Sequence, residues 1–277
     1  MGRVAGKVVF ITGAARGQGR SHAVRLAEEG AHIVASDICQ EVGSTHYTLA
    51  TSDDLKETAR LVEERGGQIL TCSADVRVPE QLDAVVSEAL GRFGHIDVVC
   101  ANAGIGSLGR AWELSDKQWH DMIDVNLTGA WNTVKAVIPH MIEAGRGGSI
   151  IFTNSVAGFL GRPNMAHYAA SKHGLVGLMR SLANELAPHY IRVNSIHPGN
   201  VDTDMVQNVT GRRLLLPDVA DPTREEFAAA AAELSVIPVP WVESVDVSNA
   251  VLWLASDEAR YVTGATLPVD AGASIKA

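Results

Sequence analysis

The chain has 277 residues, enough at about 100–200 residues per domain for one large domain or two small ones, and enough to bury a core without disulfides or metals. Hydrophobic residues make up 46% and charged residues 20%, ordinary globular proportions that argue against disorder and fibrous repeats. Lys and Arg number 23 against 32 Asp and Glu, a net charge of −9 with no block of like charges, so neither nucleic acid nor an anionic membrane is the expected partner. No uncharged apolar run approaches the roughly 18 residues of a spanning helix, and the apolar start at 8–15 lacks a signal-type cleavage region, so we expect a cytoplasmic protein.

The first strand is expected at 7–11, a short β-branched run. It leads into Thr12-Gly13-Ala14-Ala15-Arg16-Gly17-Gln18-Gly19 and a helix over 19–29, so a glycine-rich turn delivers free backbone N–H groups to a helix N-terminus, an anion site. Three glycines also occur in ordinary tight turns, and the spacing here is G-x-x-x-G-x-G rather than G-x-G-x-x-G. The context sharpens the signal. A second strand at 32–36 ends at Asp37, 24 positions beyond Gly13, where a carboxylate can accept from ribose hydroxyls of a dinucleotide. The same carboxylate would repel the extra phosphate of NADP, which favours NAD. Arg16 argues mildly for NADP, since its guanidinium could bind a 2′-phosphate, but it could equally face solvent or pair with Asp37.

The stretch 38–52, ICQEVGSTHYTLATS, is long for a connection in which about two to six residues are usual, and marks an insertion with a function or a floppy one. A helix at 53–64, a strand at 69–73, a helix at 80–92 and a strand at 96–101 follow. The last ends in Ala101-Asn102-Ala103-Gly104, small residues where a cofactor needs close approach. Asn126 opens a helix over 126–143, where its plain role is a cap. The next strand, 149–153, runs into Ser155; ligands of open parallel sheets sit beyond the strands' carboxyl ends, so this hydroxyl should face the crevice.

A helix over 167–186 carries Tyr168-Ala169-Ala170-Ser171-Lys172, a phenol and an ammonium four residues apart and so on one face. A free tyrosine titrates near about 10, too high for proton transfer at neutral pH, and a fixed positive charge brings it down. An isolated Tyr-x-x-x-Lys is usually a surface pair; here it stands beside Ser155, the glycine loop and Asn126. After a strand at 191–196, the segment 202–240 carries Met205, Leu214, Leu215, Leu216, Phe227, Val236, Ile237 and Val239 among Pro and Gly breakers, either a lid over a site or an extra packed layer. A helix at 243–256 and a strand at 265–269 close the chain. This alternation specifies an α/β fold, a single Rossmann-type domain over 1–277 with a doubly wound parallel sheet of about seven strands and helices on both faces. Cys39, Cys72 and Cys100 are expected to be buried free thiols, and the ten histidines show no ligand spacing, so no metal site is expected.

Taken in order, TGAARGQG at 12–19, DV at 75–76, NAG at 102–104, Asn126, Ser155, YAASK at 168–172 and HPGNVDT at 197–203 resemble the motif set of the short-chain dehydrogenase/reductase family, over essentially the whole chain. The resemblance implies a nicotinamide-dependent oxidoreductase acting on alcohols and carbonyls. Tyr168 would be the general acid/base, Lys172 would lower its pKa and hold the nicotinamide ribose, Ser155 would bond the substrate oxygen, and Asn126 would anchor a water relay behind the lysine. Cofactor contacts would come from Gly13, Arg16, Gly17, Gln18, Gly19, Asp37 and Ile38, from Asp75 and Val76 bordering the adenine, and from Asn102, Ala103 and Gly104 on the adenosine side. Pro198 and Gly199 belong to the same set, with Val201 and Thr203 at the carboxamide. The family further implies a homotetramer built on helices 126–143 and 167–186.

Gln18 replaces the family's usual aliphatic residue and ANAG its commoner NNAG, without touching a catalytic role. The 38–52 insertion and SDIC at 36–39 resemble a subgroup similar to carveol dehydrogenases of actinobacteria, in which such an insertion covers the NAD, hinders its exchange and leaves electrons to be passed to mycofactocin. An apolar lid fits a small hydrophobic secondary alcohol or ketone, terpenoid or alicyclic. An NADPH-dependent ketoreductase is the second expectation, and a non-catalytic dinucleotide-binding protein the third; the latter sits badly with a tyrosine and lysine both retained.

Overall fold

In the computed structural model, which describes residues 2–276, the apolar runs form one parallel sheet. Its strands are β1 (Val8–Thr12), β2 (His32–Asp37), β3 (Ile69–Ser73), β4 (Val98–Ala101), β5 (Gly148–Thr153), β6 (Ile191–Pro198) and β7 (Thr266–Val269), in spatial order β3-β2-β1-β4-β5-β6-β7. All seven runs read from the sequence are strands, with no end shifted by more than two residues. β1 is buried at all five positions, as expected of a parallel strand covered on both faces. Its alternate residues feed two cores. Val8 and Phe10 join α3 (Pro79–Phe93), α5 (Gly129–Ala144) and α6 (Ala166–Leu186), while Val9 and Ile11 join α1 (Gly17–Glu28), α2 (Ser52–Glu63) and α9 (Ser244–Ala255). Phe10 and Phe152 are fully buried, and truncating either to Ala would cost roughly 3–5 kcal/mol. The strand order reverses between β1 and β4, which opens the ligand crevice at their carboxyl ends.

The expected helix at 126–143 is the second half of a longer one. It begins with α4 (Asp116–Ile123), passes through a π-helical turn at Asp124–Thr128, and continues as α5. Asn126 is therefore not a cap. It lies 1% exposed inside the widened turn. A capping box starts the helix earlier: Ser115 Oγ accepts from Gln118 N (3.2 Å), and Gln118 Oε1 accepts from Ser115 N (3.0 Å).

Residues 38–51 contain no strand or helix, and a capping box between Thr51 and Asp54 ends the insertion by starting α2. Val42, Ser44 and Ala50 are buried, so the segment is docked rather than floppy. The 202–240 segment holds two short helices, α7 (Val209–Arg213) and α8 (Arg224–Ala232). A parallel bridge between Val201 and Val242 pinches its base, and Phe227 packs on Trp241 with ring centroids 6.2 Å apart. Of the three free cysteines only Cys100 is buried; Cys39 and Cys72 are half-buried. Among the described residues no helix is long and apolar enough to cross a membrane.

Candidate active site

The glycine loop is built by close backbone approach. Gly13 adopts φ +66°, and a Cβ there would lie 2.8 Å from Ala103 Cα; at Gly19 a Cβ would lie 2.0 Å from the Gly13 carbonyl oxygen. The loop is fastened to the end of β4. The Asn102 amide donates to the carbonyls of Thr12 (3.0 Å) and Gly13 (3.2 Å), and Thr12 Oγ1 accepts from the backbone N–H groups of Asn102 and Ala103 (3.2 Å each). Asp37 is fixed by backbone donors, accepting from Ala15 N and Cys39 N at 3.1 Å each. The result is a cleft of about 1120 Å³ lined by Gly13, Arg16, Gly17, Gln18, Gly19, Asp37, Ile38, Asp75, Val76, Asn102, Ala103, Gly104, Tyr168, Lys172 and Thr203. A helix N-terminus, a backbone cradle that any Cβ would fill, and a carboxylate at the end of β2 suit a dinucleotide.

Arg16 lines the cleft but does not pair with Asp37. Its Nη1 stands 3.0 Å from Asp204 Oδ2, its Nη2 donates to the Thr48 carbonyl, and its guanidinium lies over the Tyr47 ring, 6.0 Å from the centroid. The insertion returns across the cleft and supplies the Thr48 carbonyl, and the 202–240 segment supplies the Asp204 carboxylate. Leu49, Ala50 and Val42 border the dinucleotide cleft, but Tyr47 reaches further, to the boundary with a second cavity.

That second cavity, of about 1300 Å³, begins at Ser155 and Tyr168 and runs under the 202–240 segment. Leu108, Val156, Met165, Met205, Val206, Leu214, Leu215, Phe227 and Leu234 give it an apolar lining. Pro198, Gly199 and Val201, expected among the cofactor contacts, border this cavity rather than the cleft. Thr203 borders both.

Tyr168 and Lys172 share one face of α6, with the ammonium 5.6 Å from the phenol ring centroid. Lys172 Nζ donates to the Thr153 carbonyl (3.0 Å) at the end of β5. Ser155 follows that strand, accepts from Ala157 N (3.1 Å), and lines the same cavity as the Tyr168 phenol. The electrostatics differ from the simple expectation of a phenol drawn down by its lysine. Burial raises Tyr168 above its ordinary value, with the Ser155 side chain pulling the other way. Burial also lowers Lys172 to about 8, so the partner charge is itself weakened in mildly alkaline solution.

Asn126 is spent on positioning. Its side chain accepts from Ile105 N (2.8 Å), donates to the Ile105 carbonyl (3.0 Å) and reaches Ser171 Oγ at 3.5 Å. Two residues escaped the sequence analysis. Asn154 donates to the Lys172 carbonyl (3.0 Å) and accepts from Ser155 N (2.9 Å), tying β5 to α6. His197 Nδ1 donates to the Ser155 carbonyl (2.8 Å), Nε2 bonds Ser195 Oγ (2.8 Å), and its ring stacks on Phe159 at 4.0 Å; burial lowers it to about 4, so it is neutral. Asn154 was visible as the neighbour of Ser155, but no local pattern links His197 to a partner 42 residues away.

Residues 7–213 match the family described as short chain dehydrogenase. The chain belongs to that family. It is an oxidoreductase of the short-chain dehydrogenase kind, and its Rossmann-type sheet is the family's fold. The chain is 52% identical to the (−)-trans-carveol dehydrogenase of Rhodococcus erythropolis over 277 residues, the full length of both. Among solved structures it is similar to carveol dehydrogenase from Mycobacterium avium in complex with NAD (52% identity, TM-score 0.98, all of both chains). A short chain dehydrogenase from Mycobacterium paratuberculosis bound to NAD shares 42% identity at a TM-score of 0.91, covering 99% of this chain and 100% of that one.

Proposed function

We propose that this short-chain dehydrogenase interconverts a hydrophobic secondary alcohol, terpenoid or alicyclic and carveol-like, with its ketone, using NAD. The observation that carries the proposal is the place of Tyr168, which borders both the glycine-lined cleft and the apolar cavity, where Ser155 joins it. NAD bound in the cleft supplies the hydride acceptor. Gly13, Gly17 and Gly19 would hold its phosphates, Asp37 its ribose hydroxyls, and Lys172 and Thr203 its nicotinamide end.

The chain's own residues handle the proton. Ser155 bonds and orients the alcohol oxygen, and the Tyr168 phenolate takes its proton; in the reverse direction the phenol returns it to the ketone oxygen. Because burial raises Tyr168, forming the phenolate is costly, and the nearby Lys172 ammonium offsets part of that cost. The 202–240 segment acts as a lid: Leu214, Leu215 and Phe227 keep water from the reacting atoms. Asn126 holds the loop after β4 through Ile105, and from that place would anchor a water relay behind Lys172.

The insertion at 38–51 covers the cofactor and slows its exchange, and electrons leave the bound cofactor to a redox partner, mycofactocin. The buried Val42 and Ala50 and the Arg16 contacts to Thr48 and Asp204 support this cover. The enzyme assembles as a homotetramer through α5 and α6; Trp131 on α5 is 42% exposed, an apolar surface that such an interface would bury. It works in the cytoplasm, where the nicotinamide pool resides.

The protein as purified should carry NAD, and carveol added without free NAD should reduce that bound cofactor, read by its near-ultraviolet absorbance. Continuous turnover should then need an artificial electron acceptor. Absence of reduction even when NAD is supplied would overturn the proposal. Light scattering at micromolar concentration should report a tetramer, and a monomer would contradict the assembly.

A further inference from the structure

Tyr47 belongs to the insertion, yet it stands where the dinucleotide cleft and the apolar cavity meet and lines both. Its hydroxyl accepts from Gly106 N at 3.1 Å. From there a short chain of contacts reaches the reacting centre. Ser107, the next residue, bonds His167 Nε2 through its hydroxyl (2.8 Å), and His167 precedes Tyr168. On its other side Tyr47 is held by the Arg16 guanidinium over its ring, and Arg16 is bound by Asp204. Met205, beside Asp204, also borders both cavities. The backbone under the ring is braced too, since Thr45 Oγ1 bonds the carbonyls of Val42 (3.0 Å) and Tyr47 (3.1 Å).

We infer that Tyr47 is a specificity-determining residue for the alcohol, so that the insertion forms a wall of the substrate pocket as well as a cover over the cofactor. The inference rests on the reading of the apolar cavity as the alcohol's pocket. A braced aromatic ring at the pocket's junction limits how far a ring-bearing alcohol can extend beside Ser155 and Tyr168. Burial pushes the Tyr47 phenol up to about 12, so it stays a neutral hydroxyl and takes no part in proton transfer. Its effect is steric. In an apolar pocket one methylene changes discrimination by roughly 10–200-fold, and an aromatic ring is much larger.

The test compares kcat/KM for borneol, a bulky bicyclic alcohol, with that for cyclohexanol, using an acceptor that reoxidises the bound cofactor in place. A ratio taken on one preparation cancels differences in folded fraction and in NAD content, which move both substrates alike. In Tyr47→Ala and Tyr47→Leu the borneol-to-cyclohexanol ratio should change by about tenfold or more, while Tyr47→Phe, which keeps the ring, should stay within about threefold of wild type. Arg16→Gln loosens the ring without removing it and should shift the ratio less than Tyr47→Ala does. Unchanged ratios in both Tyr47→Ala and Tyr47→Leu, with wild type active on the alcohols, overturn the inference alone. A wild type inactive on both alcohols overturns the underlying reading, and the inference with it.

Discussion

The dinucleotide cleft and the apolar cavity meet at Tyr168 but are made of different material. The cleft is built around close-packed backbone: Gly13 and Gly19 admit no Cβ, Asn102 spends its amide on two carbonyls, and Asp37 is held by two peptide N–H groups. The cavity is mostly side chains, drawn from the insertion, the loop after β4, the region around Ser155 and the 202–240 segment. The backbone half is rigid and tolerates few substitutions, whereas the side-chain half can be reshaped without disturbing the sheet. In the proposed function, chemistry is anchored in the first region and choice of substrate in the second.

The largest effect that would sharpen this division is at the boundary itself. Tyr168→Phe should cut turnover by about 10²–10⁴-fold, the usual worth of a positioned proton donor, while the NAD content of the purified protein stays unchanged. Turnover within tenfold of wild type would remove Tyr168 from its role. Next comes Asp37→Ala in the backbone half. Losing a carboxylate that opposes a 2′-phosphate should narrow the preference for NAD over NADP by at least about tenfold, measured with each cofactor added to stripped protein. A wild type that already prefers NADP would break the assignment.

A smaller effect is expected with pH. Oxidation needs the phenolate, so its rate should climb with pH, but Lys172, lowered to about 8, loses its charge above that value and withdraws its support. The oxidation rate should therefore level off or fall on the alkaline side of about 8, and in Lys172→Met that bend should disappear. The smallest effect belongs to Arg16→Gln. Its ion pair with Asp204 is partly exposed, and such pairs contribute about 0.2–1 kcal/mol, so exchange of labelled NAD should quicken only several-fold. No change in exchange would leave the insertion without a latch at that point.

Much of the backbone half was legible in the sequence. Short, β-branched apolar runs such as Val8–Thr12, closed by a glycine turn, read as strands covered on both faces, and the glycine turn, Asp37 and the Tyr168–Lys172 spacing are local patterns. The side-chain half was less so. Tyr47 meets Gly106 across 59 positions and His197 meets Ser155 across 42, and no periodicity encodes such pairs. The partner of Arg16 was hidden for the same reason, since Asp204 lies far along the chain. α4 escaped because it is eight residues long and mostly polar, although the Ser115–Gln118 capping box marked its start. The π-helical turn that buries Asn126 leaves no compositional trace, so a helix cap was the natural expectation there.

The claim at the centre of this account is that one oxygen of a hydrophobic ligand lies against Tyr168 while its carbon skeleton fills the cavity beneath the 202–240 segment. A crystal structure of the protein with NAD and carvone, the ketone of carveol, tests it directly. The carvone oxygen should lie within hydrogen-bond distance of both Tyr168 Oη and Ser155 Oγ, with its ring among Leu214, Leu215 and Phe227. A ketone bound with its oxygen away from both hydroxyls, or outside that cavity, would contradict the account.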